Sequence, residues 1–186
     1  MTFVTLTQTG DAPDDAALIA RWREGDERAA TDLVERHARP LARFVASLGA
    51  RQEVEELVQD TFVRAFASLD GFRGQSTLRT WLFTIARNLM RDRLRAVKGR
   101  AEEGELNDSH VATGHDALDQ LVADETAARL RWAVGRLTPL QRDVFTLRVT
   151  QGLSYREIAE VLGSTEGAAR VHYFNAMRAI KDQIDD

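Results

Sequence analysis

The side chains best placed to do chemistry in this sequence are arginines. Arg87, Arg91 and Arg95, followed by Lys98, recur every three or four residues, so on a helix they share a face with Thr80 and Thr84. A ridge of that length covers about 16 Å of helix, enough to meet several backbone phosphates and release their counterions. Just upstream, Phe72, Trp81 and Phe83 flank a run containing Gly71, Gly74, Gln75, Ser76 and Thr77. A polar, glycine-containing loop with aromatic surfaces beside a cationic ridge suits unpaired bases, which need both stacking and charge.

A second constellation lies near the C-terminal end. At 100° per residue, Ala169, Tyr173, Ala176, Met177, Ile180 and Ile184 form one apolar sector that must pack. Val171, Asn175 and Arg178 point the opposite way, with Phe174 beside them and Arg170 and His172 on the flanks. An arginine fork fits guanine, an asparagine fits adenine, and apolar groups fit a thymine methyl, so this is the pattern of a major-groove reading helix.

Other chemistries find no residues. The chain has no cysteine, which removes disulfides, thiolate nucleophiles and cysteine-ligated zinc, and fits a reducing, cytoplasmic setting. His37, His110, His115 and His172 are scattered, and no glycine motif cradles a phosphate. No catalytic centre, cofactor or metal site is expected, and the chain reads as a non-enzyme. The first residues carry neither a basic nor an apolar targeting segment, and no apolar run reaches the roughly 18 to 20 residues that would span a bilayer.

The elements that must position these residues are helices throughout. Apolar residues recur at three and four, and no long β-branched alternation interrupts them, so the fold class is all-α. Asp14 or Asp15 caps a helix carrying Leu18, Ile19 and Trp22, and Asp26 caps the next, which Pro40 should kink or divide before Gly49 ends it. A third helix, 52 to 69, places Val54, Leu57, Val58, Thr61, Phe62, Ala65 and Leu69 on one face and leaves Glu56, Gln59, Asp60 and Val63 on the other. The fourth, 77 to 98, buries Leu78, Trp81, Leu82, Ile85, Leu89 and Ala96 opposite the basic ridge. Thr138-Pro139-Leu140-Gln141 and Ser154-Tyr155-Arg156-Glu157 are capping boxes, Gly163 ends the second of these helices, and Ser164 or Thr165 caps the last. Two helices joined by so short a glycine turn describe a helix-turn-helix.

Charge divides the chain in the same places. Its net charge of −4 hides a block, residues 73 to 100, with eight basic groups against the single acid Asp92, followed by residues 101 to 128 with eight acids and no base. The acidic segment has few large apolar residues and reads as a flexible linker. The expected organisation is therefore two small helical domains, 1–100 and 126–186, joined by an acidic linker over 101–125, the second domain ending in the helix-turn-helix.

Three motifs carry a resemblance. Glu56-Leu57-Val58-Gln59-Asp60-Thr61-Phe62, the run from Phe72 to Asn88, and Leu153-Ser154-Tyr155-Arg156-Glu157-Ile158-Ala159 together resemble regions 2 and 4 of the extracytoplasmic-function sigma factors of bacterial RNA polymerase. The resemblance implies a transcription initiation factor that binds core RNA polymerase and directs it to specific promoters. It assigns Glu56, Gln59 and Asp60 to the β′ clamp helices and the C-terminal domain to the β flap. It assigns the minus-ten element, recognised and melted, to Phe72, Arg73, Gln75, Ser76, Thr77, Arg79, Trp81, Arg87, Asn88, Arg91 and Arg95. The minus-thirty-five element falls to Ser164, Thr165, Arg170, Val171, His172, Phe174, Asn175 and Arg178. It further implies an anti-sigma factor as partner, and a linker that runs through the polymerase toward the RNA exit path.

The family pattern is not followed everywhere. Ala168 stands where threonine is frequent, and His172 and Asn175 stand where arginine is frequent, so the phosphate term should be smaller and the promoter sequence does not follow. A sigma-like decoy for an anti-sigma factor need not keep the basic helix. An ordinary helix-turn-helix regulator would lack the Glu56 to Asp60 cluster and the Trp81 helix.

Overall fold

Six helices start at a side-chain acceptor, Asp14, Asp26, Thr77, Thr138, Ser154 or Thr165, whereas the helix that begins at Val54 has none at Glu53. The computed structural model describes residues 13–49, 53–102 and 125–185, and these form eight α-helices: α1 (Asp15–Arg23), α2 (Glu27–Ser47), α3 (Val54–Ala67), α4 (Leu78–Glu102), α5 (Glu125–Gly135), α6 (Pro139–Val149), α7 (Tyr155–Leu162) and α8 (Glu166–Asp185). A 3-10 turn, Leu69–Gly71, follows α3. The linker positions 103 to 124, with His110 and His115, lie outside the described residues, as does the side chain of Lys98.

The chain divides into two compact units, Met1–Arg36 and His37–Asp186. In the first, Asp14 accepts a 2.8 Å hydrogen bond from the Ala17 amide and so caps α1. Arg21 grips Asp26 through two nitrogens at 2.9 and 2.7 Å, and Arg36 reaches Asp15 at 2.8 Å. Leu18, Ile19, Ala29 and Leu33 supply its buried apolar surface. Pro40 does not divide α2, which continues to Ser47. The fixed φ of proline suits a helix, so the element loses one amide bond and survives.

In the second unit, α3 packs along α4, α4 packs on α7, and α8 packs on α5, α6 and α7. Leu57, Thr61, Phe62 and Ala65 of α3 are buried, as are Leu78, Leu82, Phe83, Ala86 and Leu89 of α4. Phe44 of α2 stacks on Phe83 with ring centroids 4.7 Å apart, an offset arrangement that favours both rings. A second cluster joins Ala133, Leu137, Phe145, Ala176 and Ile180. Both expected capping boxes are formed, at Thr138 with Gln141 and at Ser154 with Glu157. Gly163 closes α7 at φ +61°, a left-handed position that any Cβ would strain.

Several expected faces are corrected by the packing. Phe83, expected beside the loop as a stacking surface, is 1 % exposed and belongs to the core because it meets Phe44. Trp81, expected in the core, is only half-buried, and Ala96 is exposed where α4 extends beyond the end of its packing partner's apolar face. Met177, expected in the seam of α8, is 41 % exposed, one position off the buried row of Ala176 and Ile180.

Candidate nucleic-acid interface

The loop before α4 is built around one aromatic pair. Phe72 and Trp81 lie with ring centroids 5.0 Å apart at an interplanar angle of 43°, both half-buried, so the pair fixes where the loop leaves the helix. Gly74 turns the chain at φ +67°, and Arg73, Gln75 and Thr77 are exposed around it, with Ser76 half-buried. The Thr77 hydroxyl caps α4 by accepting from the Thr80 amide at 3.1 Å. It also lies 2.8 Å from the Thr80 hydroxyl. Because the Thr80 hydroxyl donates to Glu157 Oε1 at 3.2 Å, its single proton is used there and Thr77 must be the donor between the two threonines.

That last bond belongs to a seam between α4 and the helix-turn-helix. Arg79 donates to Gln151 Oε1 at 2.7 Å, and Arg87 donates to the Leu162 carbonyl at 3.3 Å. Arg87 also faces Asp143 of α6, Nε to Oδ2 at 3.7 Å. Thr80, expected on the open ridge, is buried under this seam, and Arg79 and Arg87 are half-buried. Burial pushes both guanidinium groups below their ordinary pKa; Arg43 adds to this at Arg79 and Arg91 at Arg87, while Glu157 and Asp143 respectively oppose it. Burial likewise pushes Asp143 up to about 6, although Arg87 and Arg142 pull the other way. At Glu157 burial is outweighed by the hydrogen bonds from Ser154 and Thr80, which hold its carboxyl below the usual range.

The remainder of the ridge is open. Asn88, Arg91 and Arg95 are exposed, and Arg95 makes only a loose pair with Asp92 at 3.9 Å. The row expected of Arg87, Arg91 and Arg95 is thus split: Arg87, like Arg79 before it, has partners within the chain, whereas Arg91 and Arg95 face outward.

The second constellation sits on α8. Thr165 caps it by accepting from the Ala168 amide at 3.2 Å, and Ser164 is exposed in the turn. Phe174 is 67 % and Val171 57 % exposed, a large apolar area to leave in water, and Asn175 and Arg178 are exposed with them. His172 is half-buried. Arg170 pairs with Glu166 one turn earlier and lies 5.2 Å from the Tyr155 ring, and Arg178 pairs with Asp182 at 3.9 Å. Such exposed pairs within one helix are weakly held and exchange readily for a phosphate or a base.

The acidic face of α3 holds a residue that the motif reading passed over. Arg93 of α4 donates from Nη1 to Glu53 at 2.9 Å and from Nη2 to Glu56 at 2.9 Å and Asp60 at 2.6 Å. Burial works against this charge, but the bonds to Glu53 and Asp60 and the nearby Glu56 outweigh it and hold the guanidinium above its ordinary pKa. Gln59 is exposed on the same helix. The signal was available: at 100° per residue Arg93 falls within about 40° of Leu82, Ala86 and Leu89, and a cation on an apolar stripe needs anions.

Comparison with known proteins gives these faces a context. The Sigma-70 region 2 family model matches residues 33–100, and the Sigma-70 region 4 model matches residues 127–180. The chain is 33 % identical over 180 residues to the ECF RNA polymerase sigma-E factor of Escherichia coli K12, covering 91 % of this chain and 94 % of that one. It is 30 % identical over 179 residues to the protein of that name from Haemophilus influenzae, covering 91 % and 95 %. Among solved structures, the sigma factor RpoE bound to the anti-sigma factor NepR from Bartonella quintana is similar at a TM-score of 0.70 and 26 % identity, over 83 % of this chain and 96 % of that one. CnrH in complex with the cytosolic domain of CnrY is similar at 0.66 and 31 %, over 92 % and 97 %. Among the described residues, no helix is long and apolar enough to cross a membrane.

Proposed function

The chain belongs to the extracytoplasmic-function sigma factors of bacterial RNA polymerase, which are transcription initiation factors, and from that premise we propose how its two faces divide the work. Region 2 docks on the β′ clamp helices through Glu56, Gln59 and Asp60. Its loop from Phe72 to Thr77, with Asn88, takes an unpaired minus-ten base, while Arg91 and Arg95 hold the strand backbone during melting. Region 4 sits on the β flap and reads the minus-thirty-five element with Arg170, Val171, Phe174, Asn175 and Arg178. Residues 1–100 and 126–186 act as the two domains, spaced by the acidic linker once polymerase is bound.

A single observation carries this reading. One chain holds both a region 2 whose cationic helix follows an aromatic, glycine-containing loop and a region 4 whose last helix exposes Val171, Phe174, Asn175 and Arg178 opposite a buried seam. In the free chain the seam from Arg79, Thr80 and Arg87 to Gln151, Glu157, Asp143 and Leu162 covers part of the minus-ten face, so promoter reading requires those contacts to be exchanged for DNA. The similar RpoE and CnrH structures are complexes with NepR and with the cytosolic domain of CnrY, which supports an anti-sigma partner that restrains this chain.

Run-off transcription with core polymerase on a genomic promoter library tests the proposal. Promoter-specific transcripts are expected, and Arg91→Ala with Arg95→Ala should reduce melting while polymerase binding stays intact. No promoter-specific transcript would shift the reading to a sigma-like decoy, and equal loss of polymerase binding would undo the division of roles.

A further inference from the structure

Three carboxylates on one helix face do not hold themselves in register. Glu53, Glu56 and Asp60 lie at successive turns of the same side of α3 and its N-terminal boundary, where like charges repel and long side chains move freely. Glu53 occupies the cap position yet its side chain makes no cap bond, so its carboxylate is not committed to the helix end. What gathers the three is Arg93, which binds one oxygen of each. Its side chain is only 24 % exposed while those of Glu53, Glu56 and Asp60 are 58, 65 and 46 % exposed, so the cation lies beneath and the anions remain open above it. The base of this fork is rigid, since Arg93 follows the α4 stripe that packs on α3 through Leu82, Ala86 and Leu89.

We propose that Arg93 is a positioning residue for polymerase docking: its guanidinium presets the carboxylates of Glu56 and Asp60 in the arrangement that a basic partner surface meets. This rests on the docking role given above to α3. The physical consequence runs against simple electrostatics. A partner that recognises an acidic face is cationic, so removing a nearby cation should raise affinity and association rate if charge alone mattered. Preorganisation makes the opposite demand, because a splayed set of carboxylates must be ordered at the moment of binding, at a cost in affinity. Lysine at this position keeps the charge but not the planar fork that can satisfy several acceptors at fixed angles.

The test measures equilibrium binding of the full chain to core RNA polymerase at fixed salt. Arg93→Ala and Arg93→Lys are each expected to weaken binding by about tenfold in the otherwise native chain and by less than about twofold in the Glu56→Gln, Asp60→Asn background, the non-additivity that direct coupling requires. Unchanged or tighter binding by Arg93→Ala overturns the proposal, as does full retention of affinity by Arg93→Lys. Equal losses in both backgrounds would show a merely structural role and overturn it too. If the Glu56→Gln, Asp60→Asn chain itself binds like the native one, it is the docking role of α3 that fails, an outcome separable from the others. Should Arg93→Ala not fold, the Arg93→Lys arm decides alone.

Discussion

The two helices that carry the candidate DNA faces, α4 and α8, have been treated differently by the rest of the chain. On α8 the reading residues have little to do with the fold: Val171, Phe174, Asn175 and Arg178 stand in water, and their ion pairs stay within the helix. On α4 the first half of the face is committed inside the molecule, with Arg79, Thr80 and Arg87 each bonded to the helix-turn-helix or the helix before it. A change at Arg79, Thr80 or Arg87 of α4 therefore disturbs contacts that hold the fold, whereas a change at Val171, Phe174, Asn175 or Arg178 of α8 leaves the buried row of Ala169, Ala176 and Ile180 untouched.

The contrast breaks most sharply at Arg87. Arg87→Ala leaves the Asp143 carboxylate mostly buried with its partner gone, and should destabilise the native chain by about 2–3 kcal/mol at neutral pH, read by urea denaturation. The same change in an Asp143→Asn background should be far milder, and equal losses in both backgrounds would remove the ion pair from the account. On α8, Asn175→Ala should weaken binding to cognate promoter DNA within holoenzyme by about 2 kcal/mol while stability stays within about 0.5 kcal/mol. A large stability loss there would end the distinction between the faces.

Glu157→Ala comes next. It removes both the reciprocal cap of α7 and the acceptor for Thr80, and a loss of about 1–2 kcal/mol is expected, visible as a lower thermal midpoint. The smallest effect is in pH. Asp143 holds its proton more tightly in the folded chain than in the unfolded one, so between 3.8 and about 6 the native state binds more protons and its stability falls as pH rises. Above that window the difference is constant. Asp143→Asn should flatten this slope, and identical pH profiles for the two chains would show that burial does not act on this carboxyl.

What could be read from sequence follows from the range of each interaction. Caps and glycine stops are local, so Thr138, Ser154 and Gly163 are legible where they act, and Asp14 is one of the two acids the sequence offers for α1. Periodicity likewise placed Val171, Phe174, Asn175 and Arg178 on the open side of α8, because α5, α6 and α7 all meet its opposite sector, and it missed only the edge of that sector at Met177. It failed at Phe83 and Thr80, since α4 is packed on more than one side and a single apolar stripe cannot show a second neighbour. Arg79 and Arg87 were legible as cations but not as seam residues, because Gln151, Asp143 and the Leu162 carbonyl lie more than fifty positions away. Arg93 was legible in principle, as an arginine in an apolar sector, and its partners on α3 were already singled out for another reason.

The most direct measurement is the separation of α4 from α7 before and after promoter engagement. Since the chain has no cysteine, Leu94→Cys and Glu160→Cys place two labels at exposed sites without competing thiols. Energy transfer between them should show a short distance in the free chain and a longer one once core polymerase and promoter DNA are added, with transcription proceeding. A separation that stays short in actively initiating complexes would contradict the claim that the minus-ten face must exchange its own helix-turn-helix for DNA.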